Sequence, residues 1–149
     1  MIYLIIIVAI FAIDVYTKYR VSKKYFIEEQ KEIIKDRLYL WHKKNTGFSF
    51  SLLSGRKKIV SYSAFVITFG AILYFIKLMY KNGSKSLKLG FSFMLGGALG
   101  NLYERLFKNG VTDFIYIKFK KAPIFNVADI FILIGNFIIL TVSFFKKRI

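Results

Sequence analysis

The chain has 149 residues, is 56% hydrophobic and 19% aromatic, and contains one proline. That composition is too apolar for an ordinary soluble domain and too rich in core-forming residues for a disordered segment, leaving a multi-span membrane protein with short connections as the natural class. The formal charge of +16 raises the question of nucleic acid, but the basic residues flank the apolar blocks and form no reading stripe. Contact with anionic lipid headgroups is therefore expected, and nucleic acid is not.

The first apolar block, Met1 to Ile13, extends through Asp14 to Val21 and reaches the roughly 20 residues of a membrane span. It lacks a basic leader and a small-x-small cleavage site, so it reads as a retained helix over 1–21. After it, "SKKYFIEEQKEIIKDRLYL" places Phe26, Ile27, Ile33 and Ile34 among charges and suits a short interfacial helix. "LYLWHKKNTGFSFSLL" then alternates Phe48 and Phe50 against Ser49 and Ser51, the period of a strand, with Asn45-Thr46-Gly47 as a turn signal. The only histidine, His42, cannot build a multi-histidine metal centre and is expected at a headgroup interface beside Trp41. With no cysteine in the chain, disulfides, thiolate metal sites and cysteine nucleophiles are excluded.

Further helices are expected over 59–78, 87–106 and 127–145, the third softened by Gly90, Gly96, Gly97 and Gly100. Gly96 and Gly100 form a G-x-x-x-G pair suited to close helix approach. Between the third and fourth helices, "DFIYIKFKK" alternates Ile115, Ile117 and Phe119 with Tyr116 and Lys118. Together with the first connection, over 22–58, it predicts a small sheet over 111–121 resting on the outer membrane surface. The connection from Lys77 to Lys88 carries four lysines and no acid, and the C-terminal tail carries Lys146, Lys147 and Arg148. Both termini are therefore expected in the cytoplasm.

Ionisable groups inside a membrane cost a few kcal/mol each and mark candidate sites. Here they gather at one depth, near the outer rim: Asp14, Asn101, Glu104, Arg105, Asp113, Asn126 and Asp129. Asn101 and Arg105 are four apart, and Asn126 and Asp129 three apart, so each pair shares a helix face. Each member has a plain alternative. Asp14 and Asp129 could cap or snorkel, Glu104-Arg105 could be an interfacial ion pair, and Asn45-Thr46-Gly47 could be only a turn. Two neighbouring carboxylates can share one proton, so that one acts as base on a water while the other protonates a leaving nitrogen. The rival from another class is a small transport or proton-relay subunit using Asp14 and Asp129. That role needs polar groups across the full membrane depth, whereas the inner halves of all four segments are apolar. A catalytically silent lipid-binding homologue is a further rival, disfavoured because both candidate aspartates are present.

The stretches "DVYTK" (Asp14 to Lys18), "NTGFSFSLL" (Asn45 to Leu53), "GGALGNLYERLFKNGVTDFI" (Gly96 to Ile115) and "FNVADIFILIG" (Phe125 to Gly135) together resemble lipoprotein signal peptidase, or signal peptidase II. This is a family of bacterial membrane aspartyl proteases. The resemblance implies a single domain over 1–149: a membrane all-α core of four transmembrane helices, with a small extracytoplasmic β-cradle. It implies Asp113 and Asp129 as the catalytic pair, with Asn101, Arg105 and Asn126 orienting substrate and aspartates. Asp14 would support the architecture, and Asn45 and Gly47 belong to a loop that closes over the site. It further implies no cofactor and no metal, and a monomer in the bacterial cytoplasmic membrane, in contact with membrane lipids. The implied substrate is a diacylglyceryl-modified prolipoprotein, cut before its lipidated cysteine. Two positions depart from the family pattern: Val15 stands where glutamine is usual, and Glu104 where aspartate is usual.

Overall fold

A computed structural model describes residues 1–47, 53, 55–81, 84–119 and 122–146. Among the described residues there are four helices: α1 (Ile2–Lys24), α2 (Lys57–Tyr80), α3 (Lys85–Phe107) and α4 (Val127–Lys146). Three strands, β1 (Gln30–Ile34), β2 (Leu38–Asn45) and β3 (Val111–Ile117), form an antiparallel sheet in the order β1-β2-β3. Among the described residues, α1, α2 and α4 are long and apolar enough to cross a membrane. The third helix has lower hydropathy for a physical reason. It packs against each of the other helices, so its surface is met by protein, and glycines replace the large apolar side chains that lipid would demand.

Those glycines face defined neighbours. A Cβ at Gly96 would collide with the Ile10 side chain, and one at Gly100 with the Asp14 carboxylate, so the G-x-x-x-G stripe seats α1. A Cβ at Gly97 would collide with the Ala128 carbonyl oxygen, which brings the first turn of α4 against α3.

The 22–40 stretch corrects the expectation of an interfacial helix. The first helix runs on to Lys24, and Gln30–Ile34 is a strand paired with β2 through Gln30↔Trp41 and Glu32↔Tyr39. Glu28 (φ 68°) and Asp36 (φ 55°) both adopt left-handed backbone, which a helix cannot contain. They turn the chain at either end of β1, and the Glu32 carboxylate accepts from the Asp36 N–H at 2.7 Å. His42 is 5% exposed, with its ring nitrogen Nδ1 donating to the Tyr25 carbonyl at 2.8 Å. The run of Phe48 and Phe50 lies outside the described residues.

Two irregularities aim the sheet at the helices. Between Leu40↔Ile115 and Lys43↔Asp113, β2 holds one residue more than β3, a bulge. Because strand side chains alternate, that extra residue reverses the facing of everything beyond it. Asn45, opposite Val111, thereby becomes the diagonal neighbour of Asp113 on one face. The second device is an isolated bridge, in which Ile115 and Phe125 exchange backbone hydrogen bonds of 2.8 and 3.0 Å. It folds the start of α4 back onto β3 and delivers Asn126 beside Asp113.

Candidate active site

Asp129 owes its place to the way α4 begins. The Asp129 N–H donates to the Asn126 side-chain oxygen at 3.0 Å, and the Asn126 N–H donates to the Asp129 carboxylate at 3.1 Å. This reciprocal exchange is a capping box with Asn126 at the N-cap and Asp129 in the first turn. The helix N-terminus also attracts negative charge there. One local motif thus starts the helix and holds a carboxylate at its mouth.

The Asn126 amide joins that carboxylate to the second one. Its Nδ2 donates to Asp113 Oδ1 at 2.7 Å, while Asn45 Nδ2 donates to Asp113 Oδ2 at 3.0 Å. Asp113 is 4% exposed on β3. Burial, then repulsion from Asp129, pushes its pKa up to about 7 against the opposing hydrogen bonds of Asn45 and Asn126. An acid with that value is still partly protonated near neutrality, so it can donate a proton while a neighbouring carboxylate serves as base.

Beneath the pair lies a buried polar network that the sequence reading grouped only in part. Lys18 Nζ donates to Asp14 at 2.6 Å and to Asn101 Oδ1 at 2.7 Å, and Asn101 Nδ2 donates to Asp129 at 2.8 Å. Lys18 can only donate and a carboxylate only accept, so the orientation of the Asn101 amide is dictated by the charges on its two sides. Asp14 accepts in turn from the Ala128 N–H at 2.9 Å, which ties α1 to the first turn of α4. Lys18, given no role within the helix expected over 1–21, is wholly buried. Its i, i+4 spacing from Asp14 was the signal that could have found it.

Glu104 is a second surprise. Instead of pairing with Arg105, it accepts from Lys108 at 2.9 Å and from the Thr112 N–H and hydroxyl at 2.6 and 3.1 Å. Residues adjacent on a helix point apart, while i and i+4 stack. Glu104 therefore clamps β3 one residue before Asp113. Arg105 instead donates from Nη2 to the Gly47 carbonyl at 3.2 Å, and the Gly47 N–H donates to Asn45 Oδ1 at 2.9 Å. Asn45 and Gly47 thus form a side-chain-closed turn held over the site by α3.

Asn45, Asn101, Arg105, Asp113 and Asp129 line one cavity of about 510 Å³, whose other walls include Pro123, Phe125, Ile130 and Leu133. A second groove of about 510 Å³ shares Asn101, Arg105 and Asp129, and continues between α2, α3 and α4 along Ile67, Ala71, Met94 and Ile132. The eight residues singled out in the sequence are thus brought to one end of the bundle, with Asp14 in the layer beneath. Among the described residues, no cluster of three or more His, Asp or Glu side chains could hold a metal ion.

An amphipathic groove entering a helical bundle, with two linked aspartates at its mouth, defines a membrane-embedded aspartic hydrolase as the class to compare. A family model described as signal peptidase (SPase) II matches residues 6–145. The lipoprotein signal peptidase of Caldicellulosiruptor bescii is 35% identical over 147 residues, covering 99% of this chain and 93% of that protein. The lipoprotein signal peptidase of Enterococcus faecalis is 38% identical over 136 residues, covering 90% and 82% respectively. A bacterial membrane enzyme solved by the in meso method at 2.3 Å superposes with a TM-score of 0.85 at 27% identity, over 98% of this chain and 88% of that one. The chain belongs to the signal peptidase II family.

Proposed function

We propose that this chain is a membrane aspartic endopeptidase that removes the signal peptide from diacylglyceryl-modified prolipoproteins, cutting before the lipidated cysteine. The observation that carries the reading is the Asn126 bridge between Asp113 and Asp129 at the mouth of an apolar groove. In the catalytic step, Asp129 takes a proton from a water held between the carboxyls, and the resulting hydroxide attacks the scissile carbonyl carbon. Asp113 donates its proton to the carbonyl oxygen as the tetrahedral intermediate forms. The proton gained by Asp129 then passes to the leaving nitrogen as the C–N bond breaks, while one hydroxyl of the gem-diol returns its proton to Asp113 as the carbonyl re-forms, so the pair again shares one proton. Arg105 and Asn45, at the rim, are suited to hold the extended substrate backbone. The groove between α2 and α4 offers an apolar channel for acyl chains.

The same reading places four helices across the bacterial cytoplasmic membrane, with both termini inside and the site near the outer face. A single copy suffices, since every proposed site residue comes from one chain. A proton relay is poorly served by this arrangement. The cavity toward the inner end, between α1, α2 and α3, is lined by Leu4, Ile7, Ile72, Phe75, Leu95 and Leu99 among others, and by no charged side chain.

The test is cleavage by the purified chain of a diacylglyceryl-modified prolipoprotein, with the unlipidated precursor as control and the cut located by mass spectrometry. Cutting before the modified cysteine, dependent on the lipid and persisting in EDTA, is expected. Equal cleavage of both precursors would overturn the substrate assignment, and abolition by EDTA would overturn the mechanism.

A further inference from the structure

The sheet has a second face, and the dyad does not use it. Thr112 alternates with Asp113 on β3 and lies opposite Lys44 on β2. Together with Ser22, Tyr25, Phe26, Ile27, His42 and Lys108, these residues line a recess of about 500 Å³ between the sheet and the end of α1.

Its chemistry is that of an anion site at a membrane surface. Two lysines, Lys44 and Lys108, line it, and the carboxylate beside them, Glu104, is already engaged by Lys108 and Thr112. Burial pushes the Lys44 ammonium below the ordinary lysine range; the attraction of Glu104 opposes it, and the weaker repulsions of Lys108 and Lys57 add to it. An anion seated there would relieve an excess of positive charge that the protein leaves standing.

Depth follows from α1. At 1.5 Å per residue, its 23 residues run about 34 Å, slightly more than the hydrocarbon core. Tyr16 and Tyr19 are exposed near its outer end, and Arg20 and Lys23 lie over their rings at 5.8 Å each. Aromatic residues followed by basic ones mark the headgroup boundary. The recess opens at that level, beginning at Ser22 and Tyr25. On its rim, Phe26 is 85% exposed and Ile27 61% exposed, which is costly in water and favourable at the acyl-chain boundary.

We propose that this recess binds the phosphate of an anionic membrane lipid, held between Lys44 and Lys108, with Phe26 and Ile27 against its acyl chains. The inference rests on the membrane embedding proposed above and not on the peptidase chemistry. Binding is therefore measured without cleavage, by native mass spectrometry of the full chain released from micelles doped with phosphatidylglycerol or phosphatidylcholine. Thermal unfolding is followed in parallel with each lipid and with inorganic phosphate. Near a membrane surface each lysine contributes about fivefold to anionic lipid affinity. The parent should therefore retain phosphatidylglycerol in preference to phosphatidylcholine, and Lys44→Gln with Lys108→Gln should weaken that binding by roughly 25-fold. Lys44→Gln alone, which leaves the partners of Glu104 in place, should weaken it by about fivefold. Unchanged phosphatidylglycerol affinity in Lys44→Gln would overturn the site. Stabilisation by inorganic phosphate equal to that by the lipid would overturn the lipid assignment. A failed prolipoprotein assay would leave the binding result standing.

Discussion

Asp113→Asn is expected to make the folded protein more heat-stable at alkaline pH while removing one of the two proposed catalytic groups. The carboxyl of Asp113 is buried and its pKa rises from 3.8 to about 7. At 1.36 kcal/mol per unit, ionising it in the folded state costs about 4 kcal/mol relative to the unfolded chain. Between about pH 4 and pH 7 the folded state holds a proton that the unfolded state has released. Stability therefore falls as pH rises through that window and is lowest above it. Asparagine never ionises and escapes this penalty. It offers only one oxygen to the two amides, Asn45 and Asn126, that now donate to the carboxylate, which costs on the order of 1 kcal/mol. The net gain is about 3 kcal/mol at pH 8, or roughly 6–12 °C in Tm for a chain of this size. At pH 4 the variant should be about 1 kcal/mol less stable than the parent. Thermal unfolding of both proteins in one detergent, at matched scan rate and at pH 4, 6 and 8, reads the difference. A shift in Tm that is the same at pH 4 and pH 8 would refute the reasoning.

Other consequences follow from the same contacts. Lys18→Met leaves Asp14 buried without its ion-pair partner and should destabilise the fold by about 3–5 kcal/mol. The double variant with Asp14→Asn should recover much of that loss in the same unfolding assay, whereas additive losses would contradict the pairing. The pH profile of kcat/KM on a lipidated prolipoprotein should fall above about pH 7, as Asp113 loses the proton it donates, with a limiting slope of about tenfold per pH unit. A rate that stays level to pH 9 would remove Asp113 from the acid role.

Much of the site was legible because its parts obey short-range periods. Asn101 with Arg105, and Asn126 with Asp129, share faces by helical spacing, and the alternation of "DFIYI" revealed β3. Charge was the less dependable guide. Lys18 drew no separate reading, because nothing local announces that Asn101, 83 residues away, will accept from it. The β1 strand was hidden for a related reason. Ile33 and Ile34 are adjacent and all five residues of β1 are exposed, so no buried face imposes a period. Left-handed turns at Glu28 and Asp36, together with backbone pairing to β2, define it instead. The bulge near Trp41 and His42, which aims Asn45 at Asp113, is a matter of register, and register is settled only when both strands are present.

The dyad is tested most directly by single-turnover cleavage of lipidated prolipoprotein by Asp113→Asn and Asp129→Asn, each purified and shown to be folded. Each should lose cleavage by about 10²–10⁴-fold or more, the range carried by general acid–base groups. Cleavage at the parent rate by either folded variant would contradict the assignment.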